Sequence, residues 1–226
     1  MRVRDRYHRW LMRLSKTRSR QGLYEFVEAE LRSVPRGARV LCIGAGGEVG
    51  ALLDRCAGHG EFTVTSLDID PARSPDVVAD ICSPHAISGE FDVVLVSEVL
   101  EHVPAPQQAV ENIRAALRSG GRLILSTPFI LPIHAPPHDY FRFTRHGLAL
   151  LLRDFSAVSI AERNGYFEAI DVLWMRLLQE ESRAARAAAM ILVPMVYFLK
   201  RPFSLLLSRL VPAGGMTTGY VATAVK

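Results

Sequence analysis

Cysteine is scarce in this chain. The three present among 226 residues, Cys42, Cys56 and Cys82, form no CxxC pair and no His/Cys cluster. That excludes a disulfide framework, suits a reducing compartment, and leads to the expectation that no metal is held. Long apolar runs are lacking too. The longest, residues 187–199, is broken by Pro194 and followed by Lys200 and Arg201, whereas a spanning helix needs about twenty such residues. Acidic residues are nearly missing from the opening stretch, "MRVRDRYHRWLMRLSKTRSR", which also has no apolar centre of the kind a secretory signal carries. It holds eight Lys and Arg against one Asp, so the rest, with nineteen basic and twenty-two acidic residues, is slightly acidic although the whole chain is +4. With no second basic face downstream, nucleic acid is not an expected partner. Tyr7, Trp10, Leu11 and Leu14 interleave the basic residues at roughly helical spacing. Two readings stand: a solvated leading helix, or an arm that lies on an anionic membrane. The expected location is cytoplasmic, extending to the inner face of the membrane.

What is present reads as one α/β domain with additions. Residues 1–20 form the basic arm and 21–226 the domain, within which 171–212 is a helical, apolar insertion. After the arm, "GLYEFVEAELRSVP" puts Leu23, Phe26, Val27 and Leu31 on one helical face. Short apolar strands follow in "RVLCIG", "EFTVTSLDID", "PDVVADI", "FDVVLVSEV" and "RLILSTP". Between them lie helical stretches such as "EVGALLDRCA" and "APQQAVENIRAALRSGG", the latter expected to stop at Gly120-Gly121. "TRHGLALLLRDF" is a further helix with Thr144 as its cap. "FSAVSIAERNG" and "TTGYVATAVK" supply a sixth and a seventh strand. Such alternation gives a mostly parallel sheet covered on both faces, with ligands bound beyond the carboxyl ends of its strands.

The glycines of "VLCIGAGGEVG" sit at the first of those ends. A triphosphate loop would follow them with Lys and Ser or Thr, which are missing, and a dinucleotide fingerprint would need glycine where Val49 stands. The other strand ends suit a nucleoside. Asp68 is placed to accept hydrogen bonds from both ribose hydroxyls. Asp80 is placed to accept from an exocyclic adenine amine while Ile81 lies against the ring, and Ser97 follows the fourth strand near the ligand's tail.

"VLCIGAGGEVG", "SLDIDP", "VVADI" and "FDVVLVSEVLEHVPAPQQAVENIRAALRSGGRLILSTP" together resemble class I S-adenosylmethionine-dependent methyltransferases of the type 11 group. The resemblance spans roughly residues 34–155. It implies a Rossmann-like, seven-stranded sheet whose last strand is antiparallel. It also implies an S-adenosylmethionine site formed by Gly44, Ala45 and Gly46 at the methionyl part, Asp68 and Ile69 at the ribose, Asp80 and Ile81 at the adenine, and Ser97. Cys42 departs from the pattern, since the family usually has an acid there.

The acceptor is expected beside "STPFILPIHAPPHDYFRFT", after the fifth strand. His138 beside Asp139 offers a base and a carboxylate there, with His102 as the next candidate and Glu98 and Glu101 as further polar groups. "HDYFRFT" resembles a subset of type 11 enzymes associated with cell-surface glycans and lipid-linked intermediates. That implies O-methylation of a sugar or lipid-linked glycan as a small-molecule acceptor. A quinone or other small aromatic is the alternative acceptor, and a catalytically inactive, membrane-attached donor-binding scaffold is the alternative to an enzyme.

Overall fold

The computed structural model describes residues 3–44, 46–58, 61–84, 86–180, 182–211 and 215–226. Its sheet has seven strands: β1 (Ala38–Ile43), β2 (Phe62–Asp68), β3 (Val77–Val78), β4 (Phe91–Ser97), β5 (Leu117–Pro128), β6 (Ser156–Glu162) and β7 (Gly219–Val225), in the order β3-β2-β1-β4-β5-β7-β6. The first five pair in parallel. β7 runs the other way. Gly120 at the start of β5 donates to the Lys226 carbonyl, and Ile130 just beyond its end donates to Thr217. Thus the sheet is the expected one, mixed only at its β7 side.

The centre of the sheet is apolar on both faces because helices cover both. Val93, Val94, Leu95 and Val96 of β4 are buried, as are Val40 to Ile43 of β1. Helices α2 (Gly47–Ala57), α3 (Pro106–Ala116) and α4 (Arg145–Leu151) follow β1, β4 and β5. α3 begins on Pro106, whose fixed φ and missing N–H suit a first turn, and turns Ala109, Val110 and Ile113 into the core shared with Leu123 and Leu125. α4 is capped as read from sequence, Thr144 accepting from the Gly147 amide at 3.0 Å.

Two expectations need correction. α3 ends at Ala116, and Gly120-Gly121 lies inside β5 rather than ending the helix. The chain turns extended at Leu117 because Leu117 pairs with Phe91, and the glycine pair bonds to Lys226 beyond β7. The third strand shrinks to two exposed valines, Val77 and Val78.

The arm is not a separate element. It is the first part of α1, which runs unbroken over Val3–Arg32. The chain divides into two compact units, one made of Met1–Leu23, Ile130–Pro132 and Glu162–Gly219, the other of Tyr24–Phe129, Ile133–Ala161 and Tyr220–Lys226. In the first, α5 (Tyr166–Arg176), α6 (Arg183–Met195), the π-helical turn Val196–Lys200 and α7 (Arg201–Leu210) form a helical cluster. Leu11 of α1 packs there with Met175, Leu178, Ala189 and Val193, and Ser15 donates to the Met175 carbonyl at 3.1 Å. Asp171, buried in the same cluster, is paired with Lys200. The second unit holds the sheet core and the ends of β1, β2 and β4 with the turns that follow them.

One backbone feature sets up those ends. Gly44 leaves β1 at φ +88°, and a Cβ there would meet Val99 Cγ2 at 2.7 Å. Its amide continues the ladder by donating to the Leu67 carbonyl at 2.8 Å, so the strain cannot be relieved by swinging the loop away. Gly44→Ala is expected to cost about 1–3 kcal/mol of stability, read as a lower urea midpoint with an unchanged slope.

Candidate active site

The parallel register brings the functional strand ends to one edge. Ile43 stands opposite Leu67 on one side and Val96 on the other, Asp68 opposite Val78, and Ser97 opposite Ser126. Gly44, Asp68 and Ser97 therefore leave adjacent strands at the same level.

On the first of these loops Gly46 caps α2 with φ 86° and ψ −163°, a region open essentially to glycine alone. Ala45 lies outside the described residues. Cys42 is buried, and burial pushes its thiol up to about 12. It stays neutral and offers no charge to a donor's ammonium. Asp68 is also buried, with Oδ1 accepting the Asp70 amide at 2.9 Å and Arg73 Nε at 3.7 Å from Oδ2. Ile69 beside it is largely exposed. Asp80 Oδ1 accepts the Cys82 amide at 2.9 Å, and Ile81 packs into the sheet core.

The end of β4 carries the most polar cluster. Ser97 Oγ lies 3.0 Å from Ser126 Oγ, which donates to Glu98 Oε1 at 3.2 Å. Glu98 holds φ +54°, an unusual value for a residue with a side chain. A 3-10 turn, Leu100–His102, follows. The Glu101 carbonyl accepts the amides of Tyr140 at 2.8 Å and Phe141 at 3.2 Å, which fastens the loop after β5 onto the turn after β4.

In that loop Asp139 is taken by Arg142 rather than by the adjacent His138. Its carboxylate is held by both terminal nitrogens of Arg142, at 2.6 Å for Nη2, and accepts the His134 amide at 2.8 Å. The guanidinium bond holds Asp139 at about 2, well below the usual carboxylate range. Sequence adjacency misleads here because Arg142 offers a fork that matches a carboxylate, and the planar pair outcompetes a neighbouring imidazole. His138 Nδ1 is instead 2.8 Å from Tyr140 Oη. Phe143 packs against the sheet core, and Phe141 stacks on it at 5.7 Å.

Glu101 is the residue that the sequence did not single out strongly enough. Its side chain is 0% exposed and neither oxygen accepts a hydrogen bond among the described residues. Burial, then the neighbouring Glu98 charge, raise it well above the usual glutamate range. His102 Nε2 and His134 Nε2 face its Oε1 at 3.7 and 3.8 Å. His134 has no sequence signal that joins it to Glu101, since the contact brings together segments far apart in the chain.

Comparison with known proteins agrees with this geometry. The family model of the methyltransferase domain matches residues 2–167. A ubiquinone biosynthesis O-methyltransferase of Xanthomonas axonopodis pv. citri is 37% identical over 120 residues, 46% of this chain and 47% of that protein. The enzyme of the same name in Coxiella burnetii is 31% identical over 111 residues, 41% of this chain and 44% of its own length. The chain thus aligns with about half the length of these curated relatives. Among solved structures, phosphoethanolamine N-methyltransferase 2 of Haemonchus contortus in complex with S-adenosyl-L-methionine superposes with a TM-score of 0.57 at 15% identity, over 91% of this chain and 52% of that one. The [4+2]-cyclase SpnF does so with 0.54 at 17% identity, over 90% and 79%. The second shows that the fold alone does not fix the reaction. With the family model covering most of the chain over the same strands and strand-end loops, this chain belongs to the class I S-adenosylmethionine-dependent methyltransferases.

Proposed function

We propose that the chain transfers a methyl group from S-adenosylmethionine to a hydroxyl of a quinone precursor or a similar small phenolic compound. The observation that carries the acceptor class is the 37% identity over 120 residues with an enzyme of ubiquinone biosynthesis. It supports the quinone-type alternative over the sugar or lipid-linked glycan suggested by "HDYFRFT". On the donor side, Gly44 and Gly46 take the methionyl part, Asp68 the ribose, and Asp80 with Ile81 the adenine. Ile69 flanks the ribose, and Ser97 lines the donor after β4. The acceptor oxygen attacks the methyl carbon, the carbon–sulfur bond breaks with its electron pair left on sulfur, and the phenolic proton leaves to a base. Because the sulfonium is already activated, the protein's task is alignment and water exclusion. His138, on the loop pinned to the Glu101 carbonyl, is the proposed base.

We also propose reversible attachment to an anionic membrane surface. No single described helix is long and apolar enough to cross a membrane, and the pair Arg183–Lys200 and Pro202–Ser208 passes on length and composition only as a couple bent by 58°. Yet Ile191, Met195, Phe198, Leu199, Phe203, Leu206 and Leu210 are all at least half exposed on that pair and its end. An amphipathic pair of this kind lies in the interface rather than across it, where a lipid-tailed quinone precursor would be met. The arm adds charge, while Leu11 stays within its own cluster.

Three outcomes test these readings. Asp68→Ala is expected to weaken S-adenosylhomocysteine binding by about 2 kcal/mol, roughly thirtyfold, in calorimetric titration. An unchanged affinity in a folded variant overturns the ribose placement. His138→Ala is expected to lower turnover on a catechol or demethylquinol acceptor by about 10² while donor affinity holds. Full turnover returns His138 to a structural role. Wild-type protein is expected to float with anionic liposomes at low salt and to be partly released at high salt. Phe198→Ser with Leu199→Ser should abolish flotation, and wild type remaining unbound at low salt overturns the attachment.

A further inference from the structure

We infer that Glu101, His102 and His134 form a site for one first-row divalent cation, with Zn2+ best matched to its ligands. Ligand atoms from the three lie within 4.8 Å of one another. Two of them come from the turn after β4 and the third from the loop after β5, which is why no sequence spacing announces the site.

The case rests on what each group lacks. The Glu101 side chain is fully buried and neither carboxylate oxygen has a hydrogen-bond donor among the described residues. A buried carboxylate without donors is costly, and structures normally satisfy it with a cation or a donor. The two imidazoles facing it do not supply a donor. His102 Nδ1 is within hydrogen-bond distance of the His138 carbonyl, which can only accept, so Nδ1 carries the proton. With Nδ1 so engaged, Nε2 is the ring nitrogen left facing Glu101, at 3.7 Å. His134 Nδ1 lies 3.5 Å from Asp139 Oδ2, the carboxylate held ionised by Arg142, and its Nε2 likewise faces Glu101. Both rings thus have an acceptor behind Nδ1, the arrangement that orients metal-ligating histidines elsewhere.

Distance separates a cation from a proton as the missing partner. An imidazolium donating to a carboxylate closes to about 2.7–2.9 Å. The observed separations are 3.7 and 3.8 Å. Two ligands each about 2.0–2.1 Å from a tetrahedral metal stand roughly 3.4 Å apart, so both Glu101–histidine pairs need to contract by only a few tenths of an ångström, while the two imidazole nitrogens start within 4.8 Å of each other. The nitrogen, nitrogen and carboxylate set suits Zn2+ and its first-row neighbours rather than Mg2+ or Ca2+.

Three protein ligands leave a coordination position open, as in catalytic rather than structural sites. An acceptor hydroxyl bound there would be acidified and presented as an oxyanion. This use rests on the O-methyltransferase reading, whereas cation binding does not.

The test uses the untagged 226-residue chain, stripped with chelator and dialysed against Zn2+ or Co2+, with metal content measured by mass spectrometry and the Co2+ form by its visible ligand-field spectrum. About one equivalent per chain is expected, with a Co2+ spectrum of low coordination number. His134→Ala should weaken Zn2+ binding at least tenfold and change that spectrum. It sits on a loop with a partly exposed side chain, so it keeps the test open if Glu101→Gln fails to fold. Wild type that binds S-adenosylhomocysteine but takes up no stoichiometric metal overturns the site, as does a His134→Ala protein with unchanged affinity and spectrum. Stoichiometric metal with methylation unaffected by its removal upholds the site and overturns its use on the acceptor. Metal binding with no phenol methylated upholds the site and counts against the proposed reaction alone.

Discussion

The parallel ladder that holds β1 between β2 and β4 is the constraint from which the site follows. It fixes Ile43 level with Leu67 and Val96, so three chain segments emerge side by side and must diverge at once. Divergence forces unusual backbone at the points of exit. Gly44 takes positive φ with Val99 pressed close, and Glu98 does so despite its side chain. The polar groups gather where the segments part because loops, unlike strands, leave backbone groups and short side chains unpaired with a neighbour strand.

A second attachment completes the edge. The Glu101 carbonyl receives two amides from the loop after β5, and the Asp139–Arg142 pair stiffens that loop from within. Backbone bonds set where the loop lies, and the ion pair decides which side chains face inward. His134 is turned toward Glu101 because Asp139 grips its amide. One residue of a charged pair therefore positions an imidazole it was not expected to serve.

Much of this was legible because the sheet is buried on both faces. "VLCI" and "FDVVLVS" have no other way to satisfy so many adjacent apolar side chains, and the residues after them had to be the ligand edge. By that logic Asp68, Asp80 and Ser97 became the candidates, and the register leaves Asp68 and Ser97 at the ends of β2 and β4, level with Gly44. Tertiary pairing hid the rest. Gly120-Gly121 reads as a helix stop until β7 supplies partners that make it a strand. The arm reads as separate because its charge pattern changes after residue 20, yet nothing in "SRQGLYEF" interrupts helical hydrogen bonding, since one glycine costs less than a turn of helix gains from packing. The partner of Asp139 was not legible, since adjacency in sequence says little about whether His138 or Arg142 wins a carboxylate. Glu101 with His134 was invisible for the opposite reason, being joined only through the fold.

The pairing of Ser15 with Met175 across 160 intervening residues bears on how the chain is made. At about 5–20 residues per second of synthesis, the first turns of α1 wait roughly 10–30 s for the partners that bury Leu11. β7 enters between β5 and β6, so those two strands are also completed before the strand that separates them exists. During that interval a basic helix with an uncovered apolar face and two unmatched sheet edges coexist on the ribosome. Uncovered apolar surface and open strand edges are where growing chains are exposed to aggregation, and pairings this distant in sequence are the slow ones to form.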